Sequence, residues 1–136
     1  MLTGRCQCDA VRYTVDAEPV GLFACHCYEC RKQSASAFGI SVIVPRAAFR
    51  IAQGHPKSWT RPADSGNKVR CWFCPECGSR LFHDSDPPGD TVSVKGGSLD
   101  QPPDYATLVH IWTARKLPGF VVPPDAEQYP GEPPEY

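Results

Sequence analysis

The residues of this chain whose chemistry is most distinctive are its eight cysteines, which fall into three short groups. The groups are Cys6-x-Cys8, Cys25-x-Cys27-x2-Cys30 and Cys71-x2-Cys74-x2-Cys77. Zinc takes four tetrahedral ligands, and a tight turn that carries two thiolates a few residues apart supplies half of such a site without strain. The spacing therefore predicts zinc sites built from half-sites that meet in the folded chain.

The strongest half-site is Cys74-Pro-Glu-Cys77-Gly78. Proline begins the turn, and glycine allows the positive φ that lets backbone amides face the thiolates. We predict zinc at this pair. Spacing alone leaves its closing partner open, because the pair Cys6/Cys8 and the group that starts at Cys25 are both available.

The number of ligands decides what the remaining cysteines can do. If Cys6 and Cys8 close the site of Cys74 and Cys77, three thiolates on one tight loop remain, together with Cys71. A zinc ion with three protein ligands keeps an open position, as catalytic zinc does, whereas a fourth protein ligand makes the site structural. For Cys71 we favour a small buried core residue over a ligand.

Other polar residues near the cysteines have simpler interpretations. His26 lies between two cysteines of one loop, where alternation points its side chain away from them. His110 lies in an apolar strand pattern, which favours a buried, hydrogen-bonded histidine. Arg31 and Lys32 could offset thiolate charge or attract an anionic thiol, but we favour solvated charges on a helix face.

The elements that position these residues must be short. The chain has 136 residues, enough for one domain with a hydrophobic core. Its 15 prolines and 11 glycines exclude a bundle of long helices. A net charge of −1 provides no strong field for nucleic acid or an anionic membrane.

The composition also indicates a compartment. The chain does not open on a basic segment followed by an apolar run, and no apolar run approaches the ~20 residues that span a bilayer. We therefore expect a soluble, cytoplasmic protein. Thiols persist in the reducing cytosol, so zinc is favoured over disulfides as the role of the cysteines.

Short runs rich in β-branched and aromatic residues, separated by turn residues, predict antiparallel β structure. The predicted strands cover residues 11–15, 39–44, 49–52, 68–73, 80–83, 91–94 and 107–113. A short helix is predicted over 29–37 and a helical turn over 46–49. We divide the chain into a zinc-binding domain, 1–122, and a proline-rich acidic tail, 123–136, for which disorder and packing through Tyr129 and Tyr136 both stay open.

Three segments together carry a family resemblance: Gly4-Arg-Cys-Gln-Cys-Asp-Ala-Val-Arg-Tyr13, Cys25-His-Cys-Tyr-Glu-Cys-Arg-Lys-Gln-Ser34 and Phe73-Cys-Pro-Glu-Cys-Gly-Ser79. They resemble the glutathione-dependent formaldehyde-activating enzyme family, which also includes centromere protein V. Val94-Lys-Gly-Gly-Ser-Leu-Asp100 and His110-Ile-Trp112 are similar to later motifs of that family, so the resemblance spans roughly residues 4–120.

The resemblance implies a mainly β, Mss4-like fold in which zinc ties small antiparallel sheets together. It implies one structural zinc and a second zinc at the active site, held respectively by Cys6, Cys8, Cys74 and Cys77, and by Cys25, Cys27 and Cys30. It also implies a carbon–sulfur lyase that interconverts S-hydroxymethylglutathione with glutathione and formaldehyde. Many relatives share the scaffold without a known substrate.

The chain departs from the family pattern at three positions. Asp9 and Ala35 stand where glycine is common, and Gly119 stands where an aromatic residue is common. The first two departures concern local loop geometry, and the third concerns the wall of any pocket that the C-terminal segment covers.

We expect a zinc-dependent enzyme of the carbon–sulfur lyase type, with a small thiol such as glutathione and an aldehyde as its partners. The alternative is a non-catalytic zinc scaffold that binds another protein, which closure of the second site by Cys71 would favour. Association with nucleic acid, by analogy with centromere protein V, is disfavoured because the chain is nearly neutral and has no long basic segment. Spacing does not determine the oligomeric state.

Overall fold

The computed structural model describes residues 1–63 and 65–134, so that Asp64, Glu135 and Tyr136 lie outside the described residues. The described residues form ten β-strands and one α-helix. The strands are β1 (Leu2–Arg5), β2 (Arg12–Val15), β3 (Gly21–Cys25), β4 (Gly39–Pro45), β5 (Phe49–Gln53), β6 (Lys57–Pro62), β7 (Lys68–Phe73), β8 (Arg80–Asp86), β9 (Thr91–Lys95) and β10 (Val109–Ile111), and the helix is α1 (Tyr28–Ser34). The mainly β class predicted from the sequence is confirmed.

The strands form two sheets. The small sheet has three strands in the order β1-β2-β5, and the large sheet has seven in the order β10-β3-β4-β9-β8-β7-β6. The paired strands are antiparallel except for β10, which runs parallel to β3. The predicted antiparallel arrangement therefore holds within both sheets, and the parallel pair lies at one edge of the large sheet.

Both sheets contribute to the main hydrophobic core. Val42 and Val44 of β4 and Val92 and Val94 of β9 are fully buried, and their alternate spacing places them on one face of the large sheet. Phe49 of the small sheet meets this face, with its ring centroid 4.6 Å from that of Phe82 in β8. Burial of each such valine contributes about 1.5–3 kcal/mol to folding.

The opposite face of the large sheet carries cysteine and polar side chains. The register aligns Phe23 of β3, Ser41 of β4 and Lys95 of β9, and it pairs Cys25 of β3 with Gly39 of β4. Because successive side chains in a strand point to opposite faces, Cys25 and Lys95 share the face turned away from the valine core. This face is where the second cysteine group lies.

Helix α1 begins within that group. Cys27 is its N-cap residue, and the Cys27 Sγ accepts a hydrogen bond from the backbone N–H of Cys30 at 3.4 Å. The helix ends at Ser34, earlier than predicted, because Ala35 adopts a left-handed conformation with φ 51°. With seven residues α1 cannot cross a membrane, and no other helix among the described residues is long and apolar enough to do so.

The first two departures from the family pattern occupy left-handed backbone. The φ angle is 69° at Asp9 and 51° at Ala35. Side chains with a Cβ atom are uncommon in this region, which is the physical reason that glycine suits both positions. Asp9 compensates by pairing with Arg12, whose Nε donates to Asp9 Oδ1 at 2.8 Å.

The described part of the C-terminal tail packs along β10. The Tyr129 N–H donates to the His110 carbonyl at 2.9 Å, and the His110 N–H donates to the Glu127 carbonyl at 3.0 Å. Gln128 forms a parallel bridge with the same histidine. The packing considered for Tyr136 lies outside the described residues, and the domain boundary at residue 122 stays a prediction.

A buried carboxylate joins β7 and β8. Asp84 accepts hydrogen bonds from Arg70 Nε at 2.9 Å and Arg70 Nη2 at 2.6 Å, from Arg46 Nη2 at 2.9 Å and from Trp72 Nε1 at 3.0 Å. Burial raises the pKa of Asp84, but the hydrogen bonds from Arg70, Trp72 and Arg46 outweigh it and hold the pKa below its ordinary value of 3.8.

We expect Asp84→Asn to lower the free energy of unfolding by about 3 kcal/mol, because it leaves two arginines without their counter-charge. The exposed Asp16→Asn change should alter it by less than about 0.5 kcal/mol. Urea unfolding at pH 7 measures both.

Because the folded-state pKa of Asp84 is depressed, its stabilisation is present above about pH 4 and is lost as the pH falls through the folded-state value. If the difference in free energy of unfolding between the wild type and Asp84→Asn stayed the same in strong acid, that result would contradict this account.

Candidate metal centres and the adjoining pocket

Four cysteines from distant parts of the chain meet at one point. Cys6 and Cys8 lie in the turn between β1 and β2, and Cys74 and Cys77 lie in the turn between β7 and β8. Their four sulfur atoms all lie within 4.8 Å of one another, and Cys8 Sγ is 3.7 Å from both Cys6 Sγ and Cys74 Sγ. Tetrahedral thiolates with Zn–S bonds of about 2.3 Å lie about 3.8 Å apart. The donor set and its spacing therefore fit a zinc ion.

Backbone amides point at the sulfur atoms of this four-cysteine group. The Val11 N–H donates to Cys6 Sγ at 3.3 Å, and the Glu76 N–H donates to Cys74 Sγ at 3.4 Å. Burial raises the pKa of Cys6, but hydrogen bonds from Val11 and the neighbouring cysteines hold it below its ordinary value. The thiolate is the form that binds metal.

The turn at Cys74–Cys77 has the geometry that the sequence predicts. Gly78 adopts φ 80°, and its N–H donates to the Cys74 carbonyl at 2.8 Å. Hydrogen bonds from Ser79 lower the pKa of Cys77 to about 5. The turn thus presents Cys77 largely as a thiolate at neutral pH.

The second group lies where β3 ends and α1 begins. The sulfur atoms of Cys25, Cys27 and Cys30 all lie within 4.8 Å of one another, and no other histidine, cysteine or acidic residue in the described part of the chain joins them. Cys25 is buried, whereas Cys27 and Cys30 are half-buried. Three sulfur donors fit a zinc ion that keeps its fourth coordination position open.

Hydrogen bonds within this three-cysteine group divide its charge unequally. The Cys25 and Cys30 thiols donate to the Cys27 sulfur, which lowers the pKa of Cys27. The same contact raises the pKa of Cys25. Cys27, at the N-cap of α1, is therefore the sulfur that carries negative charge most readily.

The three-cysteine group is positioned by close packing of α1 on β4. A Cβ atom at Gly39 would lie 3.3 Å from the Cys30 Cβ and 2.7 Å from the Gln33 Nε2. A larger residue would have to displace Cys30 or Gln33, so glycine at this position helps β4 to set the position of Cys30 relative to Cys25, the partner of Gly39 in β3.

Cys71 lies outside both groups. It is fully buried in β7 and is paired across the sheet with His83 in β8. Its position is that of a core residue, the role favoured from the sequence.

Two buried histidines lie against each other beside the three-cysteine group. His26 Nε2 is 3.0 Å from His110 Nδ1, and His26 Nδ1 has no hydrogen-bond partner among the described residues. Burial, followed by the influence of His110, lowers the pKa of His26 to about 4, so this imidazole is neutral at pH 7. Neither histidine belongs to a cysteine group.

Aromatic side chains enclose the histidine pair. The His26 ring centroid lies 5.1 Å from that of Phe38 and 5.4 Å from that of Phe120. Phe120 directly follows Gly119, the third departure from the family pattern. The residue next to Gly119 therefore supplies an aromatic ring to the surroundings of the histidine pair.

A pocket of about 790 Å³ opens between the four-cysteine group and the C-terminal end of α1. Cys6 and Cys77 line one side, and Gln33, Ser34 and Gly39 line the other. The Gln33 Nε2 is buried and has no hydrogen-bond partner among the described residues, which leaves a donor available to a ligand.

Cations dominate the charge of the pocket. Arg5, Arg80 and Lys95 line it together with one acidic residue, Asp100. The Asp100 Oδ2 already accepts a hydrogen bond from the Thr3 hydroxyl at 2.8 Å. The pocket is therefore suited to an anionic ligand.

Sequence reasoning did not single out Lys95, Arg80 or Gln33. Lys95 occupies a position in β9 that alternates with buried valines, a position that faces solvent in many antiparallel sheets. Only the fold shows that it is 8% exposed. No local pattern distinguishes such a lysine from a surface residue.

We expect the two cysteine groups to respond differently to loss of one thiol. Cys74→Ala should unfold the protein, because the four-cysteine group ties the two sheets together. Cys27→Ala should keep the fold and lose one bound metal ion per chain. Circular dichroism and elemental analysis of the purified proteins measure both effects. Equal loss of stability in the two variants would contradict this division.

Comparison with known proteins bears on both groups. Residues 1–115 match the family described as glutathione-dependent formaldehyde-activating enzyme. A protein of Penicillium rubens, provisionally named a glutathione-dependent formaldehyde-activating enzyme, is 32% identical over 80 residues, which cover 57% of this chain and 41% of that protein. The chain thus aligns with less than half of that relative's length.

The fold is also shared with a solved structure. The crystal structure of a Rhodobacter sphaeroides protein matches with a TM-score of 0.58 at 20% identity, covering 76% of this chain and 93% of the other. The family match includes every cysteine of both groups. The resemblance seen in the sequence is thereby confirmed, and the chain belongs to the glutathione-dependent formaldehyde-activating enzyme family.

Proposed function

We propose that this chain is a zinc-dependent enzyme of the carbon–sulfur lyase type that acts on a thiol–aldehyde adduct such as S-hydroxymethylglutathione. The observation that carries the proposal is the three-cysteine group, whose donors fit a zinc ion with a free coordination position. The family match and the name of the Penicillium relative support glutathione and formaldehyde as the thiol and the aldehyde.

The two cysteine groups take different roles in this proposal. Cys6, Cys8, Cys74 and Cys77 hold a structural zinc, and Cys25, Cys27 and Cys30 hold the active one. Zinc held by these three cysteines would favour the thiolate form of a substrate sulfur. Because three thiolates outweigh the charge of Zn²⁺, a further anionic sulfur would be held loosely, which would suit turnover.

The reaction requires little rearrangement. In the adduct the carbon–sulfur bond breaks, the electron pair stays on sulfur, and the hydroxyl proton passes to water as the oxygen forms the aldehyde carbonyl. The reverse reaction forms the same bond and returns the proton. The three cysteines would hold the metal that binds the sulfur at a fixed position. The neighbouring His26 and His110 add no charge there, because burial lowers the pKa of each and both are neutral at pH 7.

The pocket is consistent with a small anionic thiol. Its volume of about 790 Å³ lies within the range of ~300–1,000 Å³ usual for small-molecule sites. Arg5 and Arg80 provide positive charge, and Gln33 provides an unpaired donor. Gly39 lies in the pocket wall and packs on Cys30, although the three cysteines themselves are not among the residues that line the pocket.

The scaffold alternative depends on a fourth protein ligand at the second site. Cys71 was the candidate, and it lies outside the three-cysteine group, which supports the enzyme over the scaffold. We also propose that residues 1–122 form the zinc-binding domain, that residues 123–136 form its tail, and that the protein acts in the cytosol, where thiols stay reduced.

Exchange NMR on an equilibrated mixture of formaldehyde and glutathione tests the proposal, because it detects catalysis without net turnover. We expect zinc-loaded protein to accelerate exchange between free formaldehyde and the adduct. Cys27→Ala should abolish the acceleration, since it removes one of the three sulfur donors of the group.

Cys71→Ala is the matched control, because it also removes one thiol but lies outside both groups. It should retain the acceleration. Exchange that the wild-type protein does not accelerate, or that survives in Cys27→Ala, would refute the proposed reaction at this site.

A further inference from the structure

Lys95 is a buried cation without a carboxylate partner. It is 8% exposed, and its Nζ donates to the Ser41 hydroxyl at 3.1 Å. It takes part in none of the ion pairs formed within residues 1–63 and 65–134. Burial of an unpaired ammonium group is strongly unfavourable. The charged form of Lys95 therefore requires a negative charge nearby.

With a metal bound, the three-cysteine group would provide that charge, because all three of its sulfurs are then thiolates. The register of β3, β4 and β9 places Lys95 and Cys25 on one face of the large sheet. Burial lowers the pKa of Lys95, whereas Cys30, Cys25 and Cys71 act in the opposite direction and Arg80 adds to the lowering. Of these cysteines, only Cys25 and Cys30 belong to a group that could hold a metal.

No acidic side chain competes for this role. His83 lies near Lys95 and Arg80. Burial, followed by these two cations, lowers the pKa of His83 to about 2, so its imidazole is neutral. Asp100, the one acidic residue that lines the pocket within the described chain, is not among the groups that act on the pKa of Lys95. The anions on the same face as the buried ammonium would thus be the thiolates of the metal-bound group.

Charge balance gives this arrangement a consequence. Three thiolates around a divalent metal leave one net negative charge, and an incoming substrate thiolate adds another. We propose that Lys95 is the built-in counter-ion of the three-cysteine group, a positioning residue whose buried charge stabilises the metal-bound thiolate form and lets it accept a further anionic sulfur. This inference deepens the proposed function and rests on it for its part in catalysis, but metal binding tests it without turnover.

The experiment titrates Co²⁺ into the full-length protein and follows cobalt–thiolate absorption, with a chelator as competitor. The part of the wild-type absorption that is missing in Cys27→Ala is assigned to the three-cysteine group. We expect Lys95→Met to weaken Co²⁺ binding at this group by about tenfold or more, equivalent to about 1.4 kcal/mol. Lys95→Arg keeps the charge and should restore binding to within about threefold of the wild type.

Lys32→Met is the matched control, because Lys32 is exposed on α1 two residues from Cys30 and solvent screens its charge. It should change Co²⁺ affinity by less than about twofold. Wild-type affinity in Lys95→Met, or equal weakening in Lys95→Met and Lys95→Arg, would overturn the inference. If Lys95→Met does not fold, Lys95→Gln replaces it under the same criteria. If Lys95→Met weakens Co²⁺ binding but the wild-type protein does not accelerate exchange, the counter-ion role is supported and the proposed reaction is rejected.

Discussion

The meeting of the β1–β2 turn with the β7–β8 turn is the constraint on which the rest of this structure depends. Cys8 and Cys74 are 66 residues apart in sequence, yet their sulfur atoms lie 3.7 Å apart. The four sulfur atoms of this group all lie within 4.8 Å of one another, a spacing that fits a shared metal ion. The small sheet is thereby held against the large one, and Cys6 and Cys77 become one wall of the pocket.

The three-cysteine group is built differently, because its ligands come from a single short segment. Cys27 caps α1, Cys30 lies in the first turn and Cys25 ends β3. Their mutual position is set locally by the cap and by the close approach at Gly39. Because the group is assembled from one short segment, its geometry depends less on the meeting of the two sheets than that of the four-cysteine group does.

Sequence patterns located most strands but missed β1, β3 and β6. The run Lys68–Phe73 was predicted with the bounds that the structure has. In β3 the last three residues are consecutively buried, because a strand inside a seven-stranded sheet is covered on both faces and loses its alternation. Almost all of β6 is exposed at the sheet edge, so it has no buried face to produce a pattern.

The sequence by itself determined the cysteine groups, the turn at Gly78, the short helix after Cys27 and the family. These features depend on spacing and backbone preference over a few residues, so they can be read locally. Only the tertiary structure decided which half-sites meet, that Cys71 lies outside both groups, and that Lys95 is buried on the face of the three-cysteine group. Such facts depend on strand register between distant segments, and a lysine in an alternating strand looks the same whether its face meets solvent or a thiolate.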